Sequence, residues 1–375
     1  MAITLLVAAL FLAYVNGAND NPKGVATLIG SRTTGVGEAL AWATATTFAG
    51  SLGAIFVGKA LIGTFSGKGL VPEATTTDPG FLASVGLGAA ITVALATRIG
   101  MPISTTHSLI GALVGAGWVW VGSDLQVAHL GKVFVLPLVT SPLLALAITI
   151  PLYRAARSTR LRLGVTAETC ICVGPELRPA TGGIISRRSV AAVAVEPVWT
   201  VRTGVVDDCM TVYRGTVLGF DAQWLLDRAH FVTAGAVGFA RGLNDAPKIA
   251  AILLVARGIS AWGGVMAVAI AMAAGGWLAS RRVAATISYQ ITDMNAGQGF
   301  VGNLVTAVLV SGASWYGVPV STTHVSIGAL FGIGAVNGKA HWRTIGTILL
   351  AWVTTLPVAA ASGALVAWII HASVA

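Results

Sequence analysis

The amino-acid sequence predicts an all-α polytopic membrane protein. It has 375 residues, of which 55% are hydrophobic and only 10% are charged, whereas soluble domains average about 25% charged residues. The mean hydropathy is +0.82, and apolar stretches such as 81–97 and 345–370 approach or exceed the ~20 residues that a helix needs to cross a bilayer. Two kinds of polar motif also occur twice, in the same order along the chain. We therefore predict two membrane-spanning repeats.

Each repeat is predicted to contain about five spans, some of them broken or re-entrant. In the first repeat, an apolar helix over 3–15 stops at a polar motif and resumes over 24–30. Such a break is tolerated at membrane depth only where the freed backbone lines protein or a polar cavity. The next predicted helices are 39–57, 81–97, a glycine-rich helix ending near 121, and 132–153.

The second repeat follows the same plan. A second broken helix is predicted over 230–256, around the second copy of the polar motif. The remaining predicted elements are a span over 262–280, a re-entrant or interfacial piece over 283–295, a span over 298–316, a second glycine-rich helix after 318, and a last span over 344–370.

A polar stretch separates the two repeats. Segments 194–202 and 210–220 are rich in Val, Thr and aromatic residues, which predicts short strands. The predicted domains are therefore membrane repeat 1 (1–153), a small polar cytoplasmic insert (154–229) and membrane repeat 2 (230–375). An odd number of spans per half makes the two repeats inverted in topology, as in many secondary transporters.

The basic residues predict orientation rather than nucleic acid binding. The net charge is +9, but Lys and Arg lie mostly at the ends of apolar segments instead of forming one basic face. The positive-inside rule then places the arginine-rich start of the insert in the cytoplasm and both termini outside. The expected location is the cell (inner or plasma) membrane, crossed several times.

The first duplicated motif carries a carboxylate within an apolar run. Its two copies are Asn16-Gly17-Ala18-Asn19-Asp20-Asn21-Pro22-Lys23 and Arg241-Gly242-Leu243-Asn244-Asp245-Ala246-Pro247-Lys248. An intramembrane carboxylate is costly and therefore indicates a functional site.

Two duties are open for these aspartates. With Asn19 and Asn244, Asp20 and Asp245 would hold a coupling Na⁺ through oxygen ligands, or they would take a proton. A carboxylate could also accept the P–OH hydrogen of phosphate, which sulfate lacks at neutral pH. The structural alternative is that each aspartate only caps a helix or pairs with Lys23 or Lys248.

The second duplicated motif is typical of a helix start. Its copies are Pro102-Ile103-Ser104-Thr105-Thr106-His107 and Pro319-Val320-Ser321-Thr322-Thr323-His324. Ser104 and Ser321 are suitable N-caps, and the free N–H groups of a helix N-terminus attract an anion. Two such starts facing one another could surround a tetrahedral oxyanion. The alternative is that the hydroxyls only bond to backbone carbonyls and join helices.

Other polar residues are expected to support the site. His107 and His324 fit either a proton relay or hydrogen-bonded core histidines, and Lys23 and Lys248 fit ion-pair partners or anion attractors. Gln298 in the second half has no counterpart in the first. It is a candidate ligand of the coupling ion, which predicts an asymmetric cation site.

At this point the sequence resembles the inorganic phosphate transporters of the PiT family. The resemblance rests on Gly17-Ala18-Asn19-Asp20 with Lys23, on Gly242 with Asn244-Asp245 and Lys248, and on both Ser-Thr-Thr-His segments. It implies inverted repeats, phosphate bound between them and symport with Na⁺ or H⁺. It also implies that Asp20, Asp245 and the hydroxyl triplets (Ser104, Thr105, Thr106, Ser321, Thr322 and Thr323) belong to the substrate site.

We accordingly expect a secondary active transporter, not an enzyme, that imports phosphate through alternating access and has no cofactor besides the coupling ion. Its expected partners are inorganic phosphate, a coupling cation and the lipid bilayer, with a homo-oligomer left open. Sulfate or a metal–phosphate complex is the alternative substrate. A passive anion channel and a membrane-embedded phosphatase are more remote alternatives. Both polar motifs of this chain have a twin, whereas enzymes gather unique nucleophiles and bases.

Overall fold

The computed structural model describes residues 2–167, 171–179, 195–203, 213–253, 260–290, 294–338 and 340–374. The chain folds into two compact units. The helical unit comprises Met1–Ser158 and Leu226–Ala375, and the insert unit comprises Thr159–Leu225. The domain limits at 153 and 230 stay a prediction.

The first half of the helical unit follows the predicted order of elements. They are α1 (Ala2–Asp20), a 3₁₀ turn (Asn21–Gly24), α2 (Ala26–Gly30), α3 (Val36–Val57), α4 (Lys59–Phe65), α5 (Glu73–Thr76), α6 (Pro79–Arg98), α7 (Thr105–Val121), a 3₁₀ turn (Gly122–Asp124), α8 (Val127–Leu130), a π-helical turn (Gly131–Val135) and α9 (Leu136–Arg162). Helix α9 therefore runs beyond the predicted end at 153.

The second half repeats the long helices. They are α10 (Ala222–Leu253), α11 (Ala261–Leu278), α12 (Arg281–Gln290), α13 (Ala296–Trp315), α14 (Thr322–Asn337) and α15 (Trp342–Val374). The short piece predicted over 283–295 corresponds to α12, and the axis bends by 67° between α11 and α12. Residues 291–293 of that prediction lie outside the described residues.

The all-α membrane class is confirmed. Among the described residues, six helical segments are long and apolar enough to cross a membrane, and α11 with α12 makes a seventh if the bent pair is one span. The six are Ile3–Gly24, Val36–Val57, Pro79–Arg98, Val127–Arg162, Ala296–Trp315 and Trp342–Ser373. The inverted relation of the halves and the count of five spans in each stay predictions.

The predicted break is present at the first aspartate motif but not at the second. Helix α1 ends at Asp20, and the chain passes through a 3₁₀ turn before α2. Helix α10 instead continues through Pro247 to Leu253, so the prediction of a second broken helix was wrong. Residues 254–256 of that prediction lie outside the described residues.

The residues around the two prolines explain this difference. In the first motif, Gly24 follows the lysine, and glycine costs about 1 kcal/mol in a helix relative to alanine. The Asn21 side chain also bonds away from the turn, donating to Thr44 Oγ1 at 2.9 Å. In the second motif, Ala246 has no such side chain and Ile249 follows the lysine, so the helix continues on both sides of the proline.

The insert unit contains short strands, paired as three antiparallel ladders. These strands are β1 (Thr166–Ala167), β2 (Ile171–Pro179), β3 (Val195–Thr203), β4 (Tyr213–Arg214), β5 (Thr216–Val217) and β6 (Phe220–Asp221). β1 pairs with β4, β2 with β3, and β5 with β6. Of the two segments predicted to form strands, residues 194 and 210–212 lie outside the described residues.

Glycines let each motif helix pack closely against a helix of the other half. A Cβ at Gly17 of α1 would collide with the carbonyl oxygen of Met272 in α11, and a Cβ at Gly242 of α10 would collide with that of Thr47 in α3. Small residues at such crossings are what allow helix backbones to approach in a membrane. The two halves are therefore interlocked, and the motif residues are held where they meet.

Candidate functional site

The serine motifs start two helices in matching geometry. The Ser104 side chain caps α7 by accepting from the backbone N–H of His107 at 3.1 Å, and the Ser321 side chain caps α14 by accepting from that of His324 at 3.2 Å. The predicted N-caps are thus confirmed. Each helix presents the positive end of its dipole, with threonines in its first turn.

The threonines of each motif bond across to the other half. Thr106 donates its hydroxyl to the carbonyl of Val320 at 3.2 Å. Thr323 donates to the carbonyl of Ile103 at 2.9 Å. Ile103 and Val320 each directly precede a capping serine. The two bonds are therefore equivalent and reciprocal, one from each half to the other.

The two motif lysines are buried next to these threonines and carbonyls. Lys23 Nζ contacts the carboxylate of Asp20, the Ile103 carbonyl at 2.6 Å and Thr323 Oγ1 at 2.5 Å. The exposed fraction of Lys23 is only 2%. An ammonium group has three donors, so these three oxygens satisfy it.

The second lysine repeats this pattern. Lys248 Nζ lies 3.3 Å from Asp245 Oδ1, 2.9 Å from the Val320 carbonyl and 2.9 Å from Thr106 Oγ1. Its exposed fraction is 1%. Each lysine therefore contacts a carboxylate of its own motif, a carbonyl of its own half and a threonine of the other half.

The two aspartates lie on either side of one amide. Asn16 Nδ2 is 3.3 Å from Asp20 Oδ2 and 3.5 Å from Asp245 Oδ2, and it also donates to Thr105 Oγ1 at 3.0 Å. Thr105 donates in turn to Asp20 Oδ2 at 3.4 Å. The structure thus brings both aspartate motifs and one serine motif into a single cluster.

Arg241 is a buried cation that the sequence reasoning missed. It lies four residues before Asp245, the position that Asn16 takes relative to Asp20, and its exposed fraction is 1%. Its Nε is 3.6 Å from Asp245 Oδ2. No described residue accepts a hydrogen bond from its Nε, Nη1 or Nη2. The available signal was an arginine within an apolar segment, which is costly unless it is functional.

The cluster is electropositive when all its groups are ionised. Three buried cations, Lys23, Lys248 and Arg241, face two buried carboxylates, Asp20 and Asp245, which leaves one net positive charge. Buried charges of this kind are normally paired, and Arg241 holds five N–H donors in a planar fork that matches an oxyanion. The arrangement is suited to binding an anion.

The two asparagines next to the aspartates bond largely to backbone groups, and their role as ligands of the coupling ion stays a prediction. Asn19 donates to Thr97 Oγ1 and to the Met101 carbonyl, both at 3.0 Å, and accepts from the backbone N–H of Ile103 at 3.1 Å. Asn244 donates to Asp245 at 3.0 Å and to the Val320 carbonyl at 3.3 Å. Each asparagine ties its motif to the backbone just before a capping serine.

Gln298 lies apart from the aspartates in its contacts. It forms a capping box with Asn295 at the start of α13 and donates to the hydroxyl of Tyr153 at 3.1 Å. The structure therefore gives Gln298 a helix-capping contact, and its role as an ion ligand stays a prediction. Thr322 is buried in the first turn of α14, in the position of Thr105.

The two motif histidines contact one another behind the helix starts. Their ring centroids are 4.5 Å apart. His324 donates from Nδ1 to the carbonyl of Leu138 at 3.2 Å and stacks on Trp352 with centroids 3.7 Å apart. Aromatic stacking and a carbonyl partner are typical of a packed core histidine, whereas the other expected role, a proton relay, stays a prediction.

Comparison with known proteins decides the family. The model of the phosphate transporter family matches residues 16–363. The chain belongs to this family. The match spans both aspartate motifs and both serine motifs, so the resemblance inferred from those motifs is confirmed, and the chain is a multi-pass transporter-family protein rather than an enzyme.

Individual relatives agree over nearly the whole length. A Pyrococcus abyssi protein named as a phosphate permease is 30% identical, and the match covers 96% of each chain. A Rhizobium meliloti protein named as a low-affinity inorganic phosphate transporter is 28% identical over 97% of this chain and 95% of its own. A solved structure titled "The sodium-dependent phosphate transporter" has the same fold, with a TM-score of 0.73, 21% identity and 99% of both chains covered.

Proposed function

We propose that this chain imports inorganic phosphate across the cell membrane by symport with a cation, Na⁺ or H⁺, through alternating access. The observation that carries the anion part is the guanidinium of Arg241, which is buried and has no hydrogen-bond acceptor among the described residues. A phosphate oxygen pair would accept two parallel N–H bonds from this fork. The helix starts at Ser104 and Ser321 would add hydroxyl and N–H donors.

The aspartates give this site a preference for phosphate over sulfate. Asp20 and Asp245 accept hydrogen bonds in the cluster, and a carboxylate can also accept the P–OH hydrogen of monohydrogen or dihydrogen phosphate. Sulfate has no such hydrogen at neutral pH, so the same oxygens would repel it. A metal–phosphate complex is a further substrate class for this site.

The exchange of contacts between halves supports alternating access. Thr106 and Thr323 each donate to the carbonyl just before the capping serine of the other half. The site therefore lies at the junction of two similar units. In transporters built from inverted repeats, one unit rocks against the other around a fixed central site. We propose the same inverted relation here, with both termini outside, the insert in the cytoplasm and a homo-oligomer as one assembly state.

Uptake into proteoliposomes tests this function. Purified protein would be reconstituted and labelled phosphate uptake measured under an imposed Na⁺ gradient, an imposed pH gradient and neither, with sulfate as competitor. We expect uptake above protein-free liposomes that rises under at least one gradient and resists excess sulfate. Uptake that ignores both gradients would indicate a passive channel, and inhibition by equimolar sulfate would indicate a general oxyanion carrier.

Two variants locate the site within this assay. Asp20→Asn and Asp245→Asn each leave a buried lysine without its carboxylate, a change that costs about 3–5 kcal/mol when a buried ion pair is broken. We expect uptake to fall to background in both. Asp124→Asn, which changes an exposed carboxylate in the turn after α7, is the matched control and should leave uptake unchanged. Normal uptake by both site variants would remove the aspartates from the mechanism.

A further inference from the structure

We propose that the ammonium groups of Lys23 and Lys248 are resident cations in the two oxygen-lined positions where a coupling Na⁺ would otherwise bind, so that transport by this chain does not require Na⁺. The proposal rests on the proposed function for its transport readout, and it names which of the two cations is used. It contradicts a Na⁺ site at Asn19, Asp20, Asn244 and Asp245, which the sequence left open.

The surroundings of Lys23 have the chemistry of a small-cation site. Its Nζ contacts a carboxylate oxygen of Asp20, a backbone carbonyl at 2.6 Å and a threonine hydroxyl at 2.5 Å. Hard cations take oxygen ligands of these three kinds, and in transporters freed carbonyls near a helix break coordinate the coupling ion. The Ile103 carbonyl lies in the non-helical stretch just before α7 and is a freed carbonyl of this kind.

The same three ligand types recur around Lys248. Its Nζ contacts the Asp245 carboxylate, the Val320 carbonyl and the Thr106 hydroxyl. A buried ammonium needs three acceptors, and both lysines take the same three: a carboxylate of their own motif, a carbonyl of their own half and a threonine hydroxyl of the opposite half. Repetition of the whole ligand set in both halves, with the threonine exchanged each time, indicates two equivalent cation positions.

The remaining donors and charges leave no room for a further cation at these positions. Each ammonium already uses its three hydrogens on three oxygens, and both side chains are buried. The asparagines beside the aspartates are engaged with backbone groups. A Na⁺ added beside either lysine would face a like charge at short range in a medium that screens poorly.

Excluding Na⁺ leaves the proton as the coupling ion of the proposed function. The titratable and charged groups around the two ammoniums come from every helix that meets there. They are Asp20 at the end of α1, Lys23 in the 3₁₀ turn that follows, Arg241, Asp245 and Lys248 on α10, His107 on α7 and His324 on α14.

The first test compares uptake with and without sodium. Phosphate uptake by wild-type proteoliposomes would be measured under one fixed pH gradient, in medium containing either Na⁺ or choline at equal ionic strength. We expect the two rates to agree within about twofold. A fall of tenfold or more in choline would overturn the proposal while leaving phosphate transport intact.

The second test opens the cation positions by truncation. Lys23→Ala and Lys248→Ala remove an ammonium and leave its oxygens, so uptake in choline should fall about tenfold or more and should recover in part when Na⁺ is added. Lys23→Met and Lys248→Met keep the length of the side chain without its charge and should show no recovery. Lys132→Ala, at an exposed position, is the control. Equal rates in Na⁺ and choline for the alanine variants would contradict the proposal.

A binding readout separates this proposal from the proposed function. The melting temperature of the purified protein in detergent would be measured in sodium chloride and in choline chloride. A ligand that binds only the folded state raises the melting temperature, so we expect a Na⁺-specific rise of about 2 °C or more in Lys23→Ala and Lys248→Ala and none in wild type. Were wild type to transport no phosphate, the proposed function would fail and this measurement would still decide whether lysine replaces sodium. Stabilisation of wild type by Na⁺, or failure of the alanine variants to gain it, would overturn the proposal.

Discussion

The two aspartate motifs share their lysine contacts but differ at the position four residues before the aspartate. In the first motif, Asn16 donates from one neutral amide toward both carboxylates. In the second, Arg241 places a full positive charge there, 3.6 Å from Asp245 and without a hydrogen-bond acceptor among the described residues. The first helix also ends at Asp20, whereas α10 continues through Asp245.

This comparison separates what both halves need from what only one half supplies. The contacts of Lys23 and Lys248 match group for group, so they belong to the shared frame that holds the halves together. The guanidinium is found in one half alone. An anion bound at the junction would therefore meet an asymmetric site, with its strongest donor on α10.

Making the two motifs alike at this position should have the largest effect. Arg241→Asn gives the second motif the residue of the first and removes the free fork. We expect the apparent KM for phosphate to rise about 100-fold, the ratio for losing about 2.7 kcal/mol, within the range for hydrogen bonds to charged groups. Asn16→Ala should raise KM only about tenfold, since its long bonds to the carboxylates lie at the low end, about 1.5 kcal/mol, of hydrogen bonds to charged groups.

Controls for this experiment follow from exposure and charge. Arg343→Asn changes an exposed arginine and should not alter KM. Arg241→Lys keeps the charge without the planar fork, and we expect a KM between those of wild type and Arg241→Asn. Equal effects of Arg241→Asn and Asn16→Ala would show that the two positions are equivalent despite their different charges.

Enlarging the glycine at either crossing between the halves should destabilise the protein equally. Gly17→Ala and Gly242→Ala each place a Cβ against a backbone carbonyl of the other half, which forces a shift that costs about 2 kcal/mol. We expect similar losses of thermal stability in detergent for the two variants. Gly312→Ala on α13, where a Cβ would meet nothing within 4 Å, is the control. A large loss of thermal stability in only one of the two variants, Gly17→Ala or Gly242→Ala, would contradict equivalent packing of the two halves.

The helix caps should show the smallest effect, again equal in the two halves. Ser104→Ala and Ser321→Ala each remove a cap worth about 1 kcal/mol and should slow uptake about fivefold. Ser104→Gly and Ser321→Gly should cost less, because glycine is a tolerated N-cap. Ser260→Ala removes the cap of α11, where Ser260 accepts from Gly263 at 3.0 Å, and should lower stability without slowing uptake. A strong loss from one serine alone would indicate that only that helix start contacts the substrate.

The sequence predicted the frame of the site well, because its signals are local. A proline followed by a capping serine marks the start of α7 and α14 wherever the rest of the chain lies. Repetition of the aspartate motif indicated that two carboxylates belong together, and Asn16 Nδ2 does lie within reach of both.

The exchanged contacts could not be predicted, because they depend on how the halves pack. Nothing local indicates that Lys23 reaches a threonine 300 residues away or that Lys248 reaches Thr106. The charge of Arg241 is visible in the sequence, but it stands at one of the positions where the two motifs differ, so their repetition does not indicate it. The continuity of α10 could not be predicted for a similar reason, because a repeated polar motif predicts the same break in both helices.

The exchanged contacts also bear on how the chain is made. When a ribosome has completed the first half, Lys23 has Asp20 and the Ile103 carbonyl, but its third partner, Thr323, has yet to be synthesised. Lys248 in turn must find a hydroxyl that entered the membrane 142 residues earlier. Assembly of this centre is therefore a late event in biogenesis, because it needs side chains from both halves.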